Sequence, residues 1–496
     1  MATTTTTTTT SPAAPARNRY LEGNFAPVTE EVTVTDLPVT GTIPEHLDGR
    51  YLRTGPNPVV GPDPASYHWF LGTGMVHGIR LRDGTAAWYR NRWVRSRDVT
   101  EALGEEPRPG PVFAGFDASP NTNIIGHAGR TLAIVESGPR PYELTDELET
   151  VGPCDFDGTL PGGYTAHPHR DPDTGELHAV SYFFGWGNQV QYSVLGTDGR
   201  VRRTVDIEVG GSPLMHDFSL TQRHVVLYDL PVTFDLDGVA RAAPRPFGRP
   251  SRWLASRYIG KRPIPERLVA AALRSGDDAG FPYAWNPDYP ARVGVMPREG
   301  GNGDVRWFEV EPCFVYHPLN AYEDGDDRIV LDVVRHPKMF ATDHTGPNEG
   351  TPTLDRWTVD LGAGKVAEER LDDRGQEFPR VDERLTGRRH RFGYAVGVDG
   401  AEPGSALLKH DLASGRRSER SFGDGTRAGE FVFVPSGPDA GEDDGVLMGF
   451  VYDAASDRSR LELLDAGSLD TVASVQLPVR VPHGFHGNWV PATPGV

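Results

Sequence analysis

Turn-forming residues constrain this chain more than any other feature, because 58 glycines and 43 prolines are spread through its 496 residues. Long helices cannot dominate where helix-breaking residues recur so often. Short segments of alternating apolar and polar residues stand between the turns instead, for example at 131–136, 223–228, 328–334 and 446–452. Asp-Gly pairs and similar turn signals flank them, so the pattern predicts many short strands joined by tight turns.

The strand-like segments continue without a break in composition, so we expect one all-β domain over residues 17–496. A propeller suits this many short strands, because radial repetition leaves few long exposed edges. No crisp sequence repeat is present, which excludes a WD40-type array. Two stacked β-sandwiches remain an alternative on pattern alone. Residues 1–16, mainly threonine, proline and alanine, predict a disordered tail and not a signal peptide.

Charge and composition exclude several classes of function. The formal net charge is −19, so the chain lacks the basic surface on which nucleic-acid binding depends. No apolar run approaches the roughly 20 residues that a membrane span needs, and a cytoplasmic location is expected. Cys154 and Cys313 are too few and too isolated for a disulfide framework or Cys-x-x-Cys metal chemistry, and we expect both to be buried.

One segment, the insert at residues 241–276, breaks the strand pattern. It carries nine basic residues and a single acid, Glu266, with apolar side chains interleaved among them. A basic, aromatic segment in an acidic protein is typical of a surface that docks on a membrane. The alternative is a solvated connection that packs on its own sheet. The apolar residues expected to contact lipid are Trp253, Leu254, Tyr258, Ile259 and Leu268.

Four of the sixteen histidines stand far apart in phrases that resemble strand starts: Ala166-His167-Pro168, Met215-His216-Asp217, Tyr316-His317-Pro318 and Phe485-His486-Gly487. No two can share a helix face, so only the fold can assemble them. Their separations of 49, 101 and 169 residues correspond to about one, two and three blades of a large propeller. Strands that begin at the central axis would aim these side chains at one point, and an all-imidazole site suits a redox-active metal such as iron.

Three glutamates in extended phrases could orient such ligands: Glu136, Glu377 and Glu430. A ligating imidazole needs an acceptor for its other ring N–H, which fixes its tautomer and its direction. The alternative is a surface position for each glutamate and a structural role for each histidine.

Taken in order, these phrases resemble the carotenoid cleavage oxygenase family. The resemblance covers nearly the whole chain and is carried by residues 18–27, 49–58, 121–123, 165–168, 317–323, 378–382 and 484–490. It implies a seven-bladed propeller with a cap of loops and short helices over a ferrous site on the axis.

The resemblance also implies roles for individual residues. The four ligands to one Fe(II) ion per chain would be His167, His216, His317 and His486. The last three would be held, in that order, by Glu136, Glu377 and Glu430. Thr122 matches the residue that crowds the sixth coordination position, and no catalytic residue is expected beyond the metal centre.

The implied activity is that of a dioxygenase acting on a single donor. O2 would add across one C=C bond of a lipophilic polyene and give two carbonyl products, with no flavin or haem, because the substrate supplies the electrons. The protein would contribute a dry tunnel that positions one double bond. The tunnel is expected to be lined by Trp69, Phe70, Phe113 and Phe314, with core packing as the alternative for each.

A carotenoid or apocarotenoid is the expected substrate. Stilbene cleavers of the family typically carry a lysine immediately before the glutamate matched by Glu136, but this chain has Val135 there and no lysine before Lys261. A lignostilbene-type reaction is therefore the alternative. Two more distant alternatives are a calcium-dependent propeller hydrolase or lactonase, which would need oxygen ligands, and a non-enzymatic carotenoid carrier. Leu71 and Thr73 stand where family members commonly have aspartates, which bears on substrate fit.

Overall fold

Seven antiparallel sheets of four to six strands form the blades of a β-propeller. The computed structural model describes residues 17–242, 247–274, 280–347, 349–399 and 402–492, so the expected tail at 1–16 lies outside the described residues. Each blade is its own sheet, and within five of the seven the strands lie side by side in chain order. The propeller prediction is therefore confirmed, and the alternative of two stacked sandwiches is wrong.

Blades 1 to 4 have the following strands, in chain order. Blade 1 comprises Thr33–Thr35, Gly49–Pro56, Gly74–Arg82, Thr85–Trp93 and Gly487–Pro491. Blade 2 comprises Asn123–His127, Arg130–Ile134, Tyr142–Leu144 and Thr150–Pro153. Blade 3 comprises His169–Arg170, Leu177–Tyr182, Gln189–Leu195 and Val201–Glu208. Blade 4 comprises Phe218–Leu220, His224–Asp229, Arg292–Pro297 and Arg306–Glu309.

The remaining blades follow the same order. Blade 5 comprises Phe314–Glu323, Arg328–His336, Thr353–Asp360 and Lys365–Asp372. Blade 6 comprises Gln376–Arg380, Phe392–Asp399, Glu402–Asp411 and Arg416–Ser421. Blade 7 comprises Val39–Gly41, Thr426–Ala428, Val432–Pro435, Gly445–Asp453, Arg458–Asp465 and Thr471–Gln476.

Strands from both ends of the chain close the ring. The C-terminal strand Gly487–Pro491 pairs with Gly49–Pro56 in blade 1. The N-terminal strand Val39–Gly41 pairs with Thr471–Gln476 in blade 7. Because each of these blades combines the two ends of the chain, the propeller cannot open without breaking backbone hydrogen bonds in a sheet.

Helices are few and short in the described residues. The α-helices are Arg97–Leu103, Leu236–Ala242, Gly248–Ala255 and Glu266–Arg274. The 3₁₀ segments are Arg19–Leu21, Gly23–Phe25, Trp69–Leu71, Phe184–Trp186, Asn302–Asp304 and Glu383–Leu385. None of the helices in the described ranges is both long and apolar enough to cross a bilayer.

The insert interrupts blade 4 between its second and third strands. A two-stranded sheet, Val232–Phe234 with Tyr283–Trp285, flanks it, and the helices Gly248–Ala255 and Glu266–Arg274 lie within it. This arrangement corrects one expectation, since the 101 residues between His216 and His317 span one blade step and not two. The extra length belongs to the insert.

Apolar side chains packed between neighbouring blades form the core. The largest cluster joins blades 3, 4 and 5 and includes Tyr192, Phe218 and Trp357, all fully buried. Cys154 and Cys313 are buried free thiols, as expected. The core therefore holds the innermost strands in fixed positions around the axis.

Candidate metal centre

Four buried histidines from four different blades meet at the centre of the propeller. One ring nitrogen of each lies within 4.8 Å of the corresponding nitrogen of every other: His167, His216, His317 and His486. They come from blades 3, 4, 5 and 1 respectively, so residues up to 319 positions apart in sequence share one site.

Each histidine stands at or near the start of an innermost strand. In blades 1, 3 and 4 the histidine is one or two residues ahead of that strand. His317 lies inside Phe314–Glu323, where the pairing register shifts between Val315 and Pro318. Such irregularities bend a strand and re-aim a side chain, which explains how His317 turns toward the axis.

The three remaining blades each supply a glutamate that pairs with one histidine. The carboxylates accept hydrogen bonds from Nδ1–H groups: Glu136 from His216 at 2.8 Å, Glu377 from His317 at 2.6 Å and Glu430 from His486 at 2.9 Å. Every blade therefore contributes one residue to the centre. These acceptors fix the tautomer in which the proton is on Nδ1. The lone pair of Nε2 is then free to bind a metal at the axis.

The arrangement of the ring nitrogens fits a bound cation. His216 Nε2 and His317 Nε2 are 3.3 Å apart, and with both protons on Nδ1 these atoms present lone pairs to each other. His167 Nε2 is buried and has no hydrogen-bond partner. Facing lone pairs repel unless a positive charge lies between them, so the donor set suits a transition metal that prefers imidazole.

Glu377 has a second partner that sequence reasoning missed. His336 Nε2 donates to Glu377 Oε1 at 2.8 Å, while His317 holds the other carboxylate oxygen. Glu377 lies in the strand Gln376–Arg380, whose pairing register shifts between Glu377 and Arg380. Phe378, within that irregularity, adopts a φ of 54°. Burial alone would raise the pKa of Glu377, but the two imidazoles hold that pKa well below its usual value. The carboxylate is therefore kept ionised and fixed in direction.

Glu430 is held in a comparable way. Arg380 Nε lies 3.4 Å from Glu430 Oε1, and the backbone N–H of Gly487 donates to Oε2 at 2.8 Å. Burial acts to raise the pKa of Glu430, yet Arg380 and His486 lower it to about 2. The backbone around His486 also needs glycine, since a Cβ at Gly484 would lie 2.8 Å from the Cα of Gly55.

His167 lacks a glutamate but lies near another carboxylate. Asp217 Oδ2 is 3.6 Å from His167 Nδ1, which is a close charge contact and not a hydrogen bond. Asp217 Oδ1 accepts from His169 Nε2 at 2.8 Å and from the Phe218 N–H at 2.7 Å. His169 is thus paired with a buried carboxylate beside the centre.

Sequence signals for these missed residues differ in strength. Arg380 lies inside the family phrase at 378–382, three residues after Glu377, and Asp217 directly follows His216, so both positions carry a sequence signal. His336 ends a strand with no neighbouring motif, and nothing in the sequence connects it with Glu377.

A largely apolar cavity of about 270 Å³ borders the centre. Trp69, Phe70 and Thr122 line it, as do Leu71 and Thr73. The histidines that contribute to its wall are His216, His317, His336 and His486. Thr122 also accepts the backbone N–H of His486 through its carbonyl oxygen, at 3.1 Å.

Two aromatic residues expected in the tunnel lie elsewhere. Among the described residues that border the cavity, neither Phe113 nor Phe314 is present. Phe113 packs with Phe183 and Val269 beneath the insert. Phe314 is fully buried in the core between the blades. Core packing, the stated alternative, describes both. Phe314 begins the innermost strand of blade 5, and that position alone does not fix which face meets the cavity.

A second cavity, polar in character, also reaches the centre. It has a volume of about 680 Å³ and borders His167, His317 and His486. Several charged and amide side chains line it, among them Arg50, Arg170, Asp217, Asn320 and Arg380. The histidine cluster thus separates an apolar space from a polar one.

The insert exposes most of the residues expected at a membrane surface. The exposed fractions are 58% for Trp253, 57% for Leu254, 40% for Tyr258 and 60% for Leu268. Ile259 differs in being partly buried. Phe247, which is not among the residues expected to contact lipid, is 60% exposed. Of the insert, residues 243–246 and 275–276 lie outside the described ranges.

Comparison with known proteins agrees with the fold and the centre. A family model described as "Retinal pigment epithelial membrane protein" matches residues 25–491. A carotenoid cleavage oxygenase of Mycobacterium tuberculosis is 58% identical, over 97% of this chain and 99% of its own length. The chain belongs to the carotenoid oxygenase family.

Solved structures of related proteins share the propeller fold of this member of the carotenoid oxygenase family. A lignostilbene dioxygenase of Pseudomonas brassicacearum has a TM-score of 0.79 at 26% identity, covering 97% of this chain and all of the other. A cobalt-substituted apocarotenoid oxygenase of Synechocystis has a TM-score of 0.77 at 27% identity, covering 94% and 97%. The chain is therefore an oxygenase with a buried four-histidine metal site.

Proposed function

We propose that this enzyme is a non-haem Fe(II) dioxygenase that cleaves one C=C bond of a carotenoid or apocarotenoid with O2, giving two carbonyl products. The observation that carries the proposal is the all-imidazole cluster in the wall of an apolar cavity. Relatives named for carotenoid cleavage and for apocarotenoid oxygenation support the choice of substrate class.

Iron is the metal we propose for the site, held by His167, His216, His317 and His486. When bound, ferrous iron would supply open coordination positions and the redox chemistry that activates O2. Calcium would need oxygen ligands, and the cluster offers nitrogen donors. The calcium-dependent hydrolase is therefore a poor match to this centre, and a simple carrier would not need it.

The chain's own residues position both partners of the reaction. Each of three glutamates, Glu136, Glu377 and Glu430, holds one imidazole in a fixed orientation. Little rearrangement is therefore needed when the metal binds. The ring of Phe378 stacks on His317, with centroids 5.6 Å apart, and borders the cavity. Apolar walls would exclude water and hold one double bond in reach, while Thr122 would restrict one coordination position.

A carotenoid or apocarotenoid fits the cavity wall better than a stilbene does. Val135 borders the cavity next to Glu136, at the position where a lysine would assist a phenolic substrate. The lignostilbene dioxygenase among the structural relatives keeps the stilbene reaction as the second candidate.

We expect protein reconstituted with Fe(II) under anaerobic conditions to cleave a polyene once O2 is admitted. A panel of C40 carotenoids, C27 apocarotenoids and stilbenes would be supplied, and products identified by chromatography and mass spectrometry. Two carbonyl fragments whose lengths sum to that of the carotenoid or apocarotenoid substrate would support the proposal. Cleavage of stilbenes alone would favour the second candidate, and purified protein that holds calcium or no metal would contradict both.

We propose further that the insert docks the enzyme on an anionic lipid surface. Trp253, Leu254 and Leu268 would enter the interface, and exposed arginines beside them would face the headgroups. After the insert, the chain returns through Phe281 and Tyr283, which line the apolar cavity. A lipophilic substrate could then pass from the bilayer toward the centre.

Replacing Trp253 and Leu254 together by serine should weaken binding to phosphatidylglycerol vesicles by about 100-fold or more, because each buried apolar side chain contributes roughly 1.5–3 kcal/mol. Vesicle co-sedimentation at several salt concentrations would measure it, with added salt weakening binding of the unaltered protein. Val151→Ser, at an exposed valine of blade 2, is the matched control and should bind normally. Unaltered vesicle binding by the double variant would refute the dock.

A further inference from the structure

The polar cavity extends from the protein surface to the metal centre. At its inner end lie three of the clustered histidines, His167, His317 and His486. At its outer end it borders solvent-exposed residues, including Ala128 and Gly129 in the turn between two strands of blade 2. Its volume of about 680 Å³ is ample for a hydrated ion, since one water occupies roughly 30 Å³ in the liquid. The cavity therefore offers an ion a passage from solvent to the centre.

Five carboxylates among the described residues line this cavity, and their exposure falls from the surface to the centre. The side chains of Asp146, Glu147 and Glu383 are more than half exposed. Asp217 and Glu430 are buried beside the clustered histidines. Carboxylate oxygens are ligands for hydrated divalent cations, and negative charge in a cleft raises the local concentration of a cation. Negative charge thus accompanies the passage along its length.

Arginines in the same wall do not give it a net positive charge. In the part of the wall that the structure describes, four of the five arginines pair with carboxylates: Arg50 with Asp146, Arg80 with Asp48, Arg130 with Asp157, and Arg380 with both Glu383 and Glu430. The fifth, Arg170, donates to His127 and to two backbone carbonyl oxygens. Five arginines therefore face five carboxylates, and the wall does not repel a cation.

The apolar cavity is a much poorer route for a divalent cation. Each carboxylate among the described residues of its wall already has a hydrogen-bond donor: Glu136 has His216, Glu377 has His317 and His336, and Asp98 has Ser96. Moving a hydrated ion into apolar surroundings removes water ligands without replacing them, which is strongly unfavourable. This cavity suits a lipophilic molecule and not an ion.

We infer that the polar cavity is the route by which the metal ion enters the centre from solvent, while the apolar cavity is left to the substrate. Metal and substrate then reach the histidine cluster from different sides, and the centre can be loaded while a polyene occupies the apolar cavity. The inference goes beyond the proposed reaction, since it concerns how the site is filled and applies to any divalent metal that the four imidazoles bind.

Uptake of Co(II) by metal-free protein tests the route without catalysis, because visible absorption of the bound ion reports loading in a stopped-flow experiment. Glu383→Cys places a thiol in the wall of the polar cavity, and Leu71→Cys places one at an exposed position of the apolar cavity. A bulky neutral thiol reagent then narrows one cavity at a time. Cys154 and Cys313 are buried, and burial raises the pKa of both thiols, so they react slowly.

We expect the bulky label on the Glu383→Cys protein to slow Co(II) uptake by about tenfold or more, because access through a narrowed passage can limit a rate. A methyl thiol reagent on the same variant should slow uptake much less, which separates blockage from loss of the carboxylate. The bulky label on the Leu71→Cys protein is the matched control. It should leave Co(II) uptake unchanged and slow the binding of a C27 apocarotenoid, followed by quenching of tryptophan fluorescence.

Occupancy of the apolar cavity gives a second test that needs no substitution. Metal-free protein saturated with the C27 apocarotenoid should take up Co(II) at the rate of the empty protein. Uptake that the polyene or the label on Leu71→Cys blocks would overturn the inference, as would uptake that the bulky label on Glu383→Cys does not slow. Unaltered protein that takes up no Co(II) would overturn the metal centre itself, and this route with it.

Discussion

His317→Ala is expected to lose bound iron and polyene cleavage together. The substitution removes one of four nitrogen ligands and leaves the ionised Glu377 with only His336 and the backbone N–H of Phe378 as hydrogen-bond donors. Changes to groups one step further from a metal cost about 10- to 100-fold in affinity or activity, so loss of a ligand should exceed about 100-fold. Iron content by elemental analysis and product formation from an apocarotenoid would be measured on the same preparation.

The fold should survive this substitution, since His317 lies at the axis and the apolar core lies between the blades. Far-UV circular dichroism and thermal unfolding would check this. His46→Ala, at an exposed histidine, is the matched control and should retain iron and activity. A His317→Ala protein that keeps both would remove His317 from the ligand set.

Glu377→Ala is the second substitution with a large expected effect. It deprives both His317 and His336 of their acceptor, so the His317 ring can rotate and its tautomer is no longer fixed. We expect Fe(II) affinity to fall by about 10- to 100-fold. Competition with a chromophoric Fe(II) chelator would measure it.

Glu377→Gln separates orientation from charge. The glutamine carbonyl can still accept a hydrogen bond from His317 Nδ1–H. The glutamine variant should therefore lose less Fe(II) affinity than the alanine variant. Glu369→Ala, at an exposed glutamate on the outer strand of blade 5, should bind iron normally. Equal iron affinity in Glu377→Ala and the unaltered protein would show that the carboxylate does not orient the metal ligand.

The architecture was readable from the sequence because strand formation is a local property. Alternation of apolar and polar residues and closely spaced turns predict short strands, and no stretch of the chain competes as a long helix. The propeller class followed from strand number. Separation between histidines was a less reliable guide, since the insert in blade 4 lengthens the chain between His216 and His317 without adding a blade.

Phe113 and Phe314, neither of which is among the described residues that border the apolar cavity, show a second limit. Phe113 and Phe314 are apolar and lie near site motifs in sequence, as Phe70 does, yet one packs under the insert and the other between blades. Hydrophobicity predicts burial, but it does not predict whether the buried face meets a cavity or another side chain.

By itself, the sequence determined the strand-and-turn pattern, the family phrases in their order, and the set of histidines and glutamates in those phrases. Only the tertiary structure decided which side chains touch: that each of seven blades supplies one residue, that His336 shares Glu377, and that Asp217 lies beside His167. The physical reason is that strand propensity arises from neighbouring residues, whereas contacts at the axis join segments hundreds of residues apart, and their geometry depends on closure of the whole ring.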